Sequence, residues 1–179
     1  MTPGVARPGG RRLVLLRHAQ AEHTRGVADE LRPLTLVGRR QCLDIGARLA
    51  AAGLVPDHVL VSSALRAHQT WELVRGALGD VPAPDVDIDD RLYDAGVSEV
   101  TERIRVLDER LATVLVVGHE PIMSSAASAL ASRETSAADH LARVQGGLST
   151  GAFAVLEVGS WADLAPGVAR LVTVVRPAR

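Results

Sequence analysis

Three short apolar runs, each followed by a longer helical pattern, constrain the fold more than any other feature of the sequence. The runs are RLVLL, HVLVS and TVLVVG, at residues 12–16, 58–62 and 113–118. They have the length and the leucine and valine content of buried strands. Because strands that alternate with helices form parallel sheets, the pattern predicts an α/β fold, a three-layer sandwich with a mostly parallel central sheet and helices on both faces.

The helical patterns have recognisable ends and faces. Thr35 is placed to cap the first helix and Gly53 to end it. Glu99 and Arg103, four residues apart in the third helix, predict an ion pair on its solvent side. The predicted helices span residues 36–52, 63–78, 97–112 and 121–131. The predicted buried face of the first consists of Leu36, Leu43, Ala47 and Ala50.

The remaining segments complete a single domain. Residues 79–89, with two prolines and four aspartates, predict a loop with at most a short edge strand. The runs AFAVLEV and ARLVTVV, at 152–158 and 169–175, predict an antiparallel pair at the C-terminal end of the sheet. No repeat or low-complexity linker divides the chain, so residues 12–179 are predicted to form one domain, with residues 1–11 as a flexible tail.

Composition excludes several classes of function. Aromatic residues make up only 2% of the chain and the arginines are scattered, so neither base stacking nor a basic patch for nucleic acid is expected. Cys42 is the only cysteine, which predicts a buried residue in a reducing compartment. No apolar run approaches the ~20 residues of a membrane span, and no signal peptide is evident. We therefore expect a cytoplasmic protein with no membrane partner; its oligomeric state is not predicted.

Polar residues, most of them arginine or histidine, follow the three strands. Arg17 and His18 follow the first, Ser62 ends the second with Arg66 shortly after it, and His119 follows the third. Ligands of open α/β sheets bind at the carboxyl ends of the strands, so these side chains are expected to meet in one crevice.

Two arginines and two histidines in one crevice require a negative partner, because like charges in a desolvated cleft repel. Phosphate meets this need, since guanidinium groups bind its oxygens in pairs and offset its charge without a metal or other cofactor. Histidine is also a competent nucleophile that can form a covalent intermediate.

The same residues carry a family resemblance. The segments LLRHAQAEHT, SSALRAHQT and VVGHEP resemble the three sequence blocks of the histidine phosphatase superfamily, the RHG enzymes. The likeness extends from Leu13 to the last strand. The short chain, with RPLTLVGRRQ, LYDA and STGAFAVLE, is most similar to the SixA-type phosphohistidine phosphatases.

The resemblance implies a role for each residue of the cluster. His18 matches the nucleophile that becomes phosphorylated, and Arg17 and Arg66 match the arginines that bind phosphate. His119 matches the second histidine, which binds phosphate and stabilises the transition state. Thr24 occupies a position where relatives have a polar phosphate ligand, although a capping role is equally natural for threonine.

The sequence departs from the family pattern at two points. Ala19 stands where the family name expects glycine, and alanine would strain the backbone if that position needed a positive φ. The general acid is also open: Asp94 in LYD and Glu22 after the nucleophile are both candidates. A phosphohistidine substrate needs neither strictly, because imidazole is a better leaving group than an alkoxide.

The resemblance therefore implies a metal-free phosphatase that forms a phosphohistidine intermediate. It also implies a protein phosphohistidine as substrate and a role in signal transduction. Its short chain leaves little material for a lid, and an open pocket suits a large substrate. The alternatives are a phosphatase or mutase of a small phosphorylated metabolite, and a non-catalytic phospho-binding protein. A nucleotide-binding Rossmann-like module is disfavoured, because RHAQAE and not a glycine-rich turn follows the first strand.

Overall fold

The computed structural model describes residues 10–23 and 25–178. The strands are β1 (Arg11–Arg17), β2 (His58–Ser62), β3 (Asp85–Asp89), β4 (Thr113–Gly118), β5 (Phe153–Val158) and β6 (Arg170–Val175). The α-helices are α1 (Leu36–Ala51), α2 (Leu65–Ala77), α3 (Val97–Arg105), α4 (Ile122–Leu130) and α5 (Ala138–Gln145). Two short 3-10 turns, Asp29–Leu31 and Asp90–Leu92, precede α1 and α3.

All six strands form one mixed sheet in the order β3-β2-β4-β1-β5-β6. Neighbours from β3 to β1 pair in parallel, whereas β5 is antiparallel to both β1 and β6. This confirms the predicted fold, including its antiparallel C-terminal portion. The short strand β3 lies at the sheet edge, as the proline- and aspartate-rich segment predicted.

Alternating side chains of the buried strands supply two cores. In β1, Leu13 and Leu15 pack on one face with α3, α4 and α5, whereas Val14 and Leu16 pack on the other with α1 and α2. Period-two alternation places successive residues on opposite faces of a sheet, so a continuous apolar run is required wherever helices cover both faces. The predicted three-layer arrangement is confirmed.

The predicted orientation of α1 is wrong, although its ends are correct. Thr35 Oγ1 accepts from the backbone of Gly38 at 2.9 Å, and Gly53 adopts a φ of 67°. The buried face consists of Gly38, Cys42, Ile45, Gly46 and Leu49. The predicted face is turned outward: Leu36, Leu43 and Ala47 are exposed and Ala50 is half-buried.

Close backbone approach explains this orientation. A Cβ on Gly38 would lie 2.1 Å from the carbonyl oxygen of Gln20, and a Cβ on Gly46 would lie 2.6 Å from that of Val74 in α2. Real Cβ atoms do not approach so closely, so α1 packs through its glycines. A pattern of large apolar residues cannot reveal such a face, because glycine carries no hydrophobic signal.

The third helix also differs from its prediction. It ends at Arg105 and not at residue 112. The predicted pair between Glu99 and Arg103 does not form, because Glu99 accepts from the backbone N–H of Gly96 at 2.9 Å and Arg103 binds Asp89. Helix capping and a tertiary ion pair thus replace a local surface contact.

The remaining differences concern the start of β1 and one additional helix. Strand β1 begins at Arg11, which was assigned to the tail, and residues 1–9 lie outside the described residues. Helix α5 was not predicted, because Val144 is the one residue of this short polar segment that is buried.

Cys42 is buried as predicted. In the described part of the chain, no helix has the length and apolar character needed to cross a membrane.

Candidate active site

The strand ladder brings the polar strand ends together. Arg17 pairs with Gly118 across β1 and β4, and Val117 pairs with Val61 across β4 and β2. The residues that follow these strands therefore emerge at one edge of the sheet. The imidazole rings of His18 and His119 lie there with their centroids 5.2 Å apart.

His18 presents one unprotonated nitrogen to the site. Its Nδ1 lies 2.8 Å from the carbonyl oxygen of Ala19, and an oxygen acceptor there requires the proton on Nδ1. Nε2 then carries the lone pair and accepts from Nε of Arg66 at 3.3 Å. Burial lowers the pKa of His18 to about 3, with the charges of His119 and Arg66 adding to the effect. The ring is therefore neutral at pH 7, as a nucleophile must be.

Arg66 contacts both sides of the site through the two edges of its guanidinium group. The edge formed by Nε and Nη2 faces the rings, donating to His18 and, at 3.4 Å, to Nδ1 of His119. The edge formed by Nη1 and Nη2 binds Asp29, at 2.6 Å to its carbonyl oxygen and 2.9 Å to Oδ2. Asp29 thereby holds one edge while the other remains directed at the histidines.

His119 is oriented by β2 as well as by Arg66. Its Nε2 lies 2.8 Å from Oγ of Ser62, the last residue of β2. Because Nδ1 accepts from Arg66, the proton lies on Nε2 and is donated to the serine hydroxyl. Burial, and then the charge of Arg66, lower the pKa of His119 to about 4, so this ring is also neutral at pH 7.

Arg17 has a donor that no group in the described part of the chain uses. Its Nη1 donates to the carbonyl oxygen of Leu148 at 2.7 Å. Its Nε is buried and lacks a hydrogen-bond partner in the described ranges, 10–23 and 25–178. A buried donor without a partner costs stability, and such donors occur where a ligand completes the bonding.

Two residues that the sequence argument missed, Asp29 and Tyr93, complete the cluster. The Tyr93 hydroxyl donates to Oδ2 of Asp29, and Arg32 donates to Oδ1 at 2.7 Å. These bonds, together with the charge of Arg66, hold the pKa of Asp29 well below its usual range. The Tyr93 ring meets His119 edge-on at 5.3 Å. Asp29 is thus a negative partner for Arg66 and Arg32, and it does not contact Arg17.

Part of this cluster borders an open cleft of about 620 Å³, whereas His119, Asp29 and Tyr93 are not among the residues that line it. Arg17, His18, Glu22 and Arg66 line it together with Thr150. Glu22 is exposed within the cleft, whereas Asp94 is exposed and is not among the residues that line it. Thr24 lies outside the described residues.

Ala19 is accommodated without backbone strain. No residue other than glycine has a positive φ in the described part of the chain. The backbone N–H of Ala19 donates to Oγ1 of Thr70 at 3.0 Å, and the same hydroxyl donates to the carbonyl oxygen of Arg66 at 2.6 Å. The residue after the nucleophile is thereby tied to the helix that carries the second arginine.

Comparison with known proteins gives consistent results. The family model of the histidine phosphatase superfamily (branch 1) matches residues 13–110. An uncharacterized protein of Mycobacterium tuberculosis is 40% identical over 158 residues, which are 88% of this chain and 96% of that protein. A proposed phosphohistidine phosphatase SixA from Nakamurella multipartitia superposes with a TM-score of 0.81 at 33% identity, covering 96% of this chain and 98% of that one.

Two further structures share the fold. The protein histidine phosphatase SixA complexed with tungstate has a TM-score of 0.76 at 25% identity, covering 93% of this chain and 97% of that one. A mycobacterial glucosyl-3-phosphoglycerate phosphatase has a TM-score of 0.59 at 19% identity, covering 90% and 97%, a likeness that shows the fold alone. The SixA-type resemblance predicted from the sequence is confirmed, and because the family match spans more than half of the chain, this protein belongs to branch 1 of the histidine phosphatase superfamily.

Proposed function

We propose that this phosphatase removes the phosphoryl group from a protein phosphohistidine, through a covalent intermediate on His18. One observation carries the proposal: His18 lines an open cleft, its unprotonated Nε2 accepts from Arg66, and a second neutral imidazole lies beside its ring. This arrangement provides a nucleophile and hydrogen-bond donors for the oxygens of one phosphoryl group.

In the first step, Nε2 of His18 attacks phosphorus. The bond between phosphorus and the substrate imidazole breaks, and its electron pair goes to the departing nitrogen. The imidazole leaves neutral because this nitrogen takes a proton from the donor, or because the other ring nitrogen already carries one. A new bond forms between phosphorus and Nε2. Positioning and electrostatic stabilisation dominate such a transfer, because the transition state spreads negative charge over the phosphoryl oxygens.

Arg17 and Arg66 bind those oxygens in this scheme. The guanidinium group of Arg17, which lines the cleft, supplies donors. The edge of Arg66 that faces His18 and His119 supplies a pair, and the phosphoryl group takes the place of the rings as acceptor. The adjacent edge, formed by Nη1 and Nη2, stays on Asp29, so Asp29 is a positioning residue that fixes which side of Arg66 meets the substrate.

His119 binds phosphate and stabilises the transition state in the proposed mechanism. A bound dianion favours the protonated form of a neighbouring imidazole, so the pKa of His119 rises when substrate enters. The ring then donates to a phosphoryl oxygen through Nδ1, while Nε2 keeps its bond to Ser62.

In the second step, water attacks phosphorus and the bond to Nε2 breaks, returning the electron pair to His18 and releasing inorganic phosphate. Of the two carboxylates considered as proton donors, Glu22 is favoured because it lines the cleft. An imidazole leaving group places little demand on such a donor, so its contribution is small for phosphohistidine.

Two features support a protein substrate. The cleft is open, so a phosphorylated side chain can enter while its protein stays outside. The two SixA structures, at 33% and 25% identity, carry names that refer to histidine phosphatase activity. A small phosphorylated metabolite is the second candidate, because the cleft volume also accommodates one and a metabolite phosphatase shares the fold.

A substrate panel tests the proposal. The kcat/KM of the wild type is measured with a histidine-phosphorylated phosphotransfer domain, sugar phosphates and phosphoglycerate, and phosphoglycerate products are analysed for a mutase reaction. We expect kcat/KM for the phosphorylated domain to exceed that for each metabolite by at least ~100-fold, a ratio that differences in binding contacts commonly produce between substrates. Preference for a metabolite would replace the proposed substrate, and binding of phosphate without any turnover would identify a phospho-binding protein.

A further inference from the structure

Exposed aliphatic side chains are concentrated beside the cleft. Nine large hydrophobic residues of the described chain are exposed, and five of them lie within the short segment from residue 27 to residue 43. These five are Val27, Leu31, Leu36, Val37 and Leu43. Single exposed leucines are ordinary, but a cluster of them on one side of a cleft marks an interaction surface.

The outer face of α1 continues this cluster away from the cleft. Leu36, Arg40, Leu43 and Ala47 follow helical spacing and are all exposed. Leu36 is 75% exposed and Leu43 54%. The helix begins immediately after Thr35, which lines the cleft, and at 1.5 Å per residue the stripe extends about 16 Å from it.

Positive charge flanks the apolar stripe. Segment 27–43 contains three arginines, Arg32, Arg39 and Arg40, and two carboxylates, Asp29 and Glu30. Arg32 is paired with Asp29, whereas Arg39 and Arg40 form no ion pair with any carboxylate of the described residues. A complementary partner therefore combines apolar side chains with acidic ones.

We propose that this surface, formed by Leu31, Leu36, Val37, Arg39, Arg40 and Leu43 and here termed the α1 docking face, binds the acidic and partly apolar surface that surrounds the phosphohistidine of a protein substrate. The proposal rests on the proposed function. It gives the open cleft a means of selecting a protein, because contacts made outside the cleft add affinity that a free phosphorylated side chain cannot gain.

A partner protein explains the position of this face better than a lipid surface does. The stripe starts at the cleft, so a protein bound along it can place its phosphohistidine over His18.

The test compares one large and one small substrate. The double variant Leu36→Ser/Leu43→Ser removes apolar surface without touching the cleft, and Arg39→Glu/Arg40→Glu reverses the charge. The control Val106→Ser alters a residue that is 77% exposed at the end of α3, on the opposite face of the sheet. Each protein is assayed with a histidine-phosphorylated phosphotransfer domain that has acidic residues around its histidine, and with free phosphohistidine.

We expect the KM for the phosphorylated domain to rise about tenfold in both double variants, as for loss of interface anchors, with kcat unchanged. The KM for free phosphohistidine should not change in any variant, and Val106→Ser should match the wild type with both substrates. Raising the salt concentration should increase the wild-type KM for the domain, and this dependence should weaken in the Arg39→Glu/Arg40→Glu variant.

Each contrary result has a distinct meaning. Equal changes with both substrates, or no change with the phosphorylated domain, would overturn the docking face while leaving the proposed function in place. A wild type that hydrolyses neither substrate would overturn the proposed function itself. Self-association or binding to anionic vesicles that the Leu36→Ser/Leu43→Ser variant loses, without a change in KM, would replace the protein substrate as the occupant.

Discussion

Two groups of residues meet at the site, and the backbone holds them in different ways. Arg17, His18, Ser62 and His119, the strand-end set, occupy the ends of three adjacent strands and are fixed by the sheet ladder. Asp29 and Tyr93, the turn set, lie in or beside the two 3-10 turns and reach the site through side-chain bonds. Arg66 of α2 contacts both sets. In our account the strand-end set performs the chemistry together with Arg66, and the turn set orients Arg66.

Replacing Arg66 should give the largest effect, because it removes the contact between the two sets. We expect Arg66→Ala to lower kcat/KM for the phosphorylated domain about 1,000-fold, the scale for loss of a transition-state donor. Arg66→Lys should recover little, since an ammonium group cannot bind Asp29 with one edge and phosphate with another. Phosphate release under steady-state conditions measures both. A lysine variant near wild-type activity would show that charge alone suffices.

Asp29→Asn should have a smaller effect, about tenfold in kcat/KM, in line with loss of one charge-assisted hydrogen bond. The backbone carbonyl that binds Nη1 of Arg66 remains, so the arginine is loosened and not released. Asp94→Asn is the matched control, because Asp94 is an exposed aspartate next to Tyr93 that does not line the cleft.

Tyr93→Phe sharpens this prediction. Tyrosine acts through Asp29, so the effects of Asp29→Asn and Tyr93→Phe should not add in the double variant. Additive losses would indicate that Tyr93 contacts the substrate independently.

The dependence of the free energy of unfolding on pH should also separate the two sets. The pKa values of His18 and His119 are lowered from 6.5 to about 3 and about 4, so the unfolded chain binds more protons than the folded one below pH 6.5. The free energy of unfolding should therefore decrease as the pH falls from 6.5 towards 4. The lowered pKa of Asp29 acts in a lower range, below its ordinary value of 3.8.

Nitrogen-15 NMR of the imidazoles measures this directly. Between pH 8 and pH 5 we expect neutral rings with the proton on Nδ1 of His18 and on Nε2 of His119. Protonation of either ring near pH 6.5 in the free protein would contradict their burial. Adding tungstate, a phosphate analogue, should raise the pKa of His119.

Glu22→Gln should give the smallest effect on the proposed substrate, at most about threefold, because imidazole leaves readily. A substrate with an alkoxide leaving group, such as a sugar phosphate, should lose more activity in this variant. Equal losses with both substrates would assign Glu22 to binding.

The strand-end set was predictable because periodicity and strand endings are local signals. Runs such as LVLL predict a buried strand, and parallel strands must present their carboxyl ends at one edge. The turn set was not predictable in the same way, since Asp29 reaches Arg66 through a loop whose path depends on the packed molecule. Tyr93 lies in the segment LYDA, but its hydroxyl bonds a carboxylate 64 positions away in the sequence, and no local pattern indicates such a contact.

The face of α1 illustrates the same limit. Its leucines have helical spacing, and the rule that apolar stripes are buried assigned them to the core. The packing instead used Gly38 and Gly46, where close contacts with Gln20 and with α2 leave no room for a side chain. A stripe that is apolar but unburied is informative in itself, and it is the basis of the proposed docking face.

The covalent intermediate is the central claim, and trapping it tests the claim most directly. The wild type is mixed with a phosphotransfer domain labelled with 32P on its histidine, quenched in alkali within milliseconds, and digested for mass spectrometry. We predict an alkali-stable, acid-labile label on Nε2 of His18. In the His18→Ala variant we expect neither label at this position nor release of phosphate. Label on another residue, or a His18→Ala variant that releases phosphate at the wild-type rate, would contradict the account.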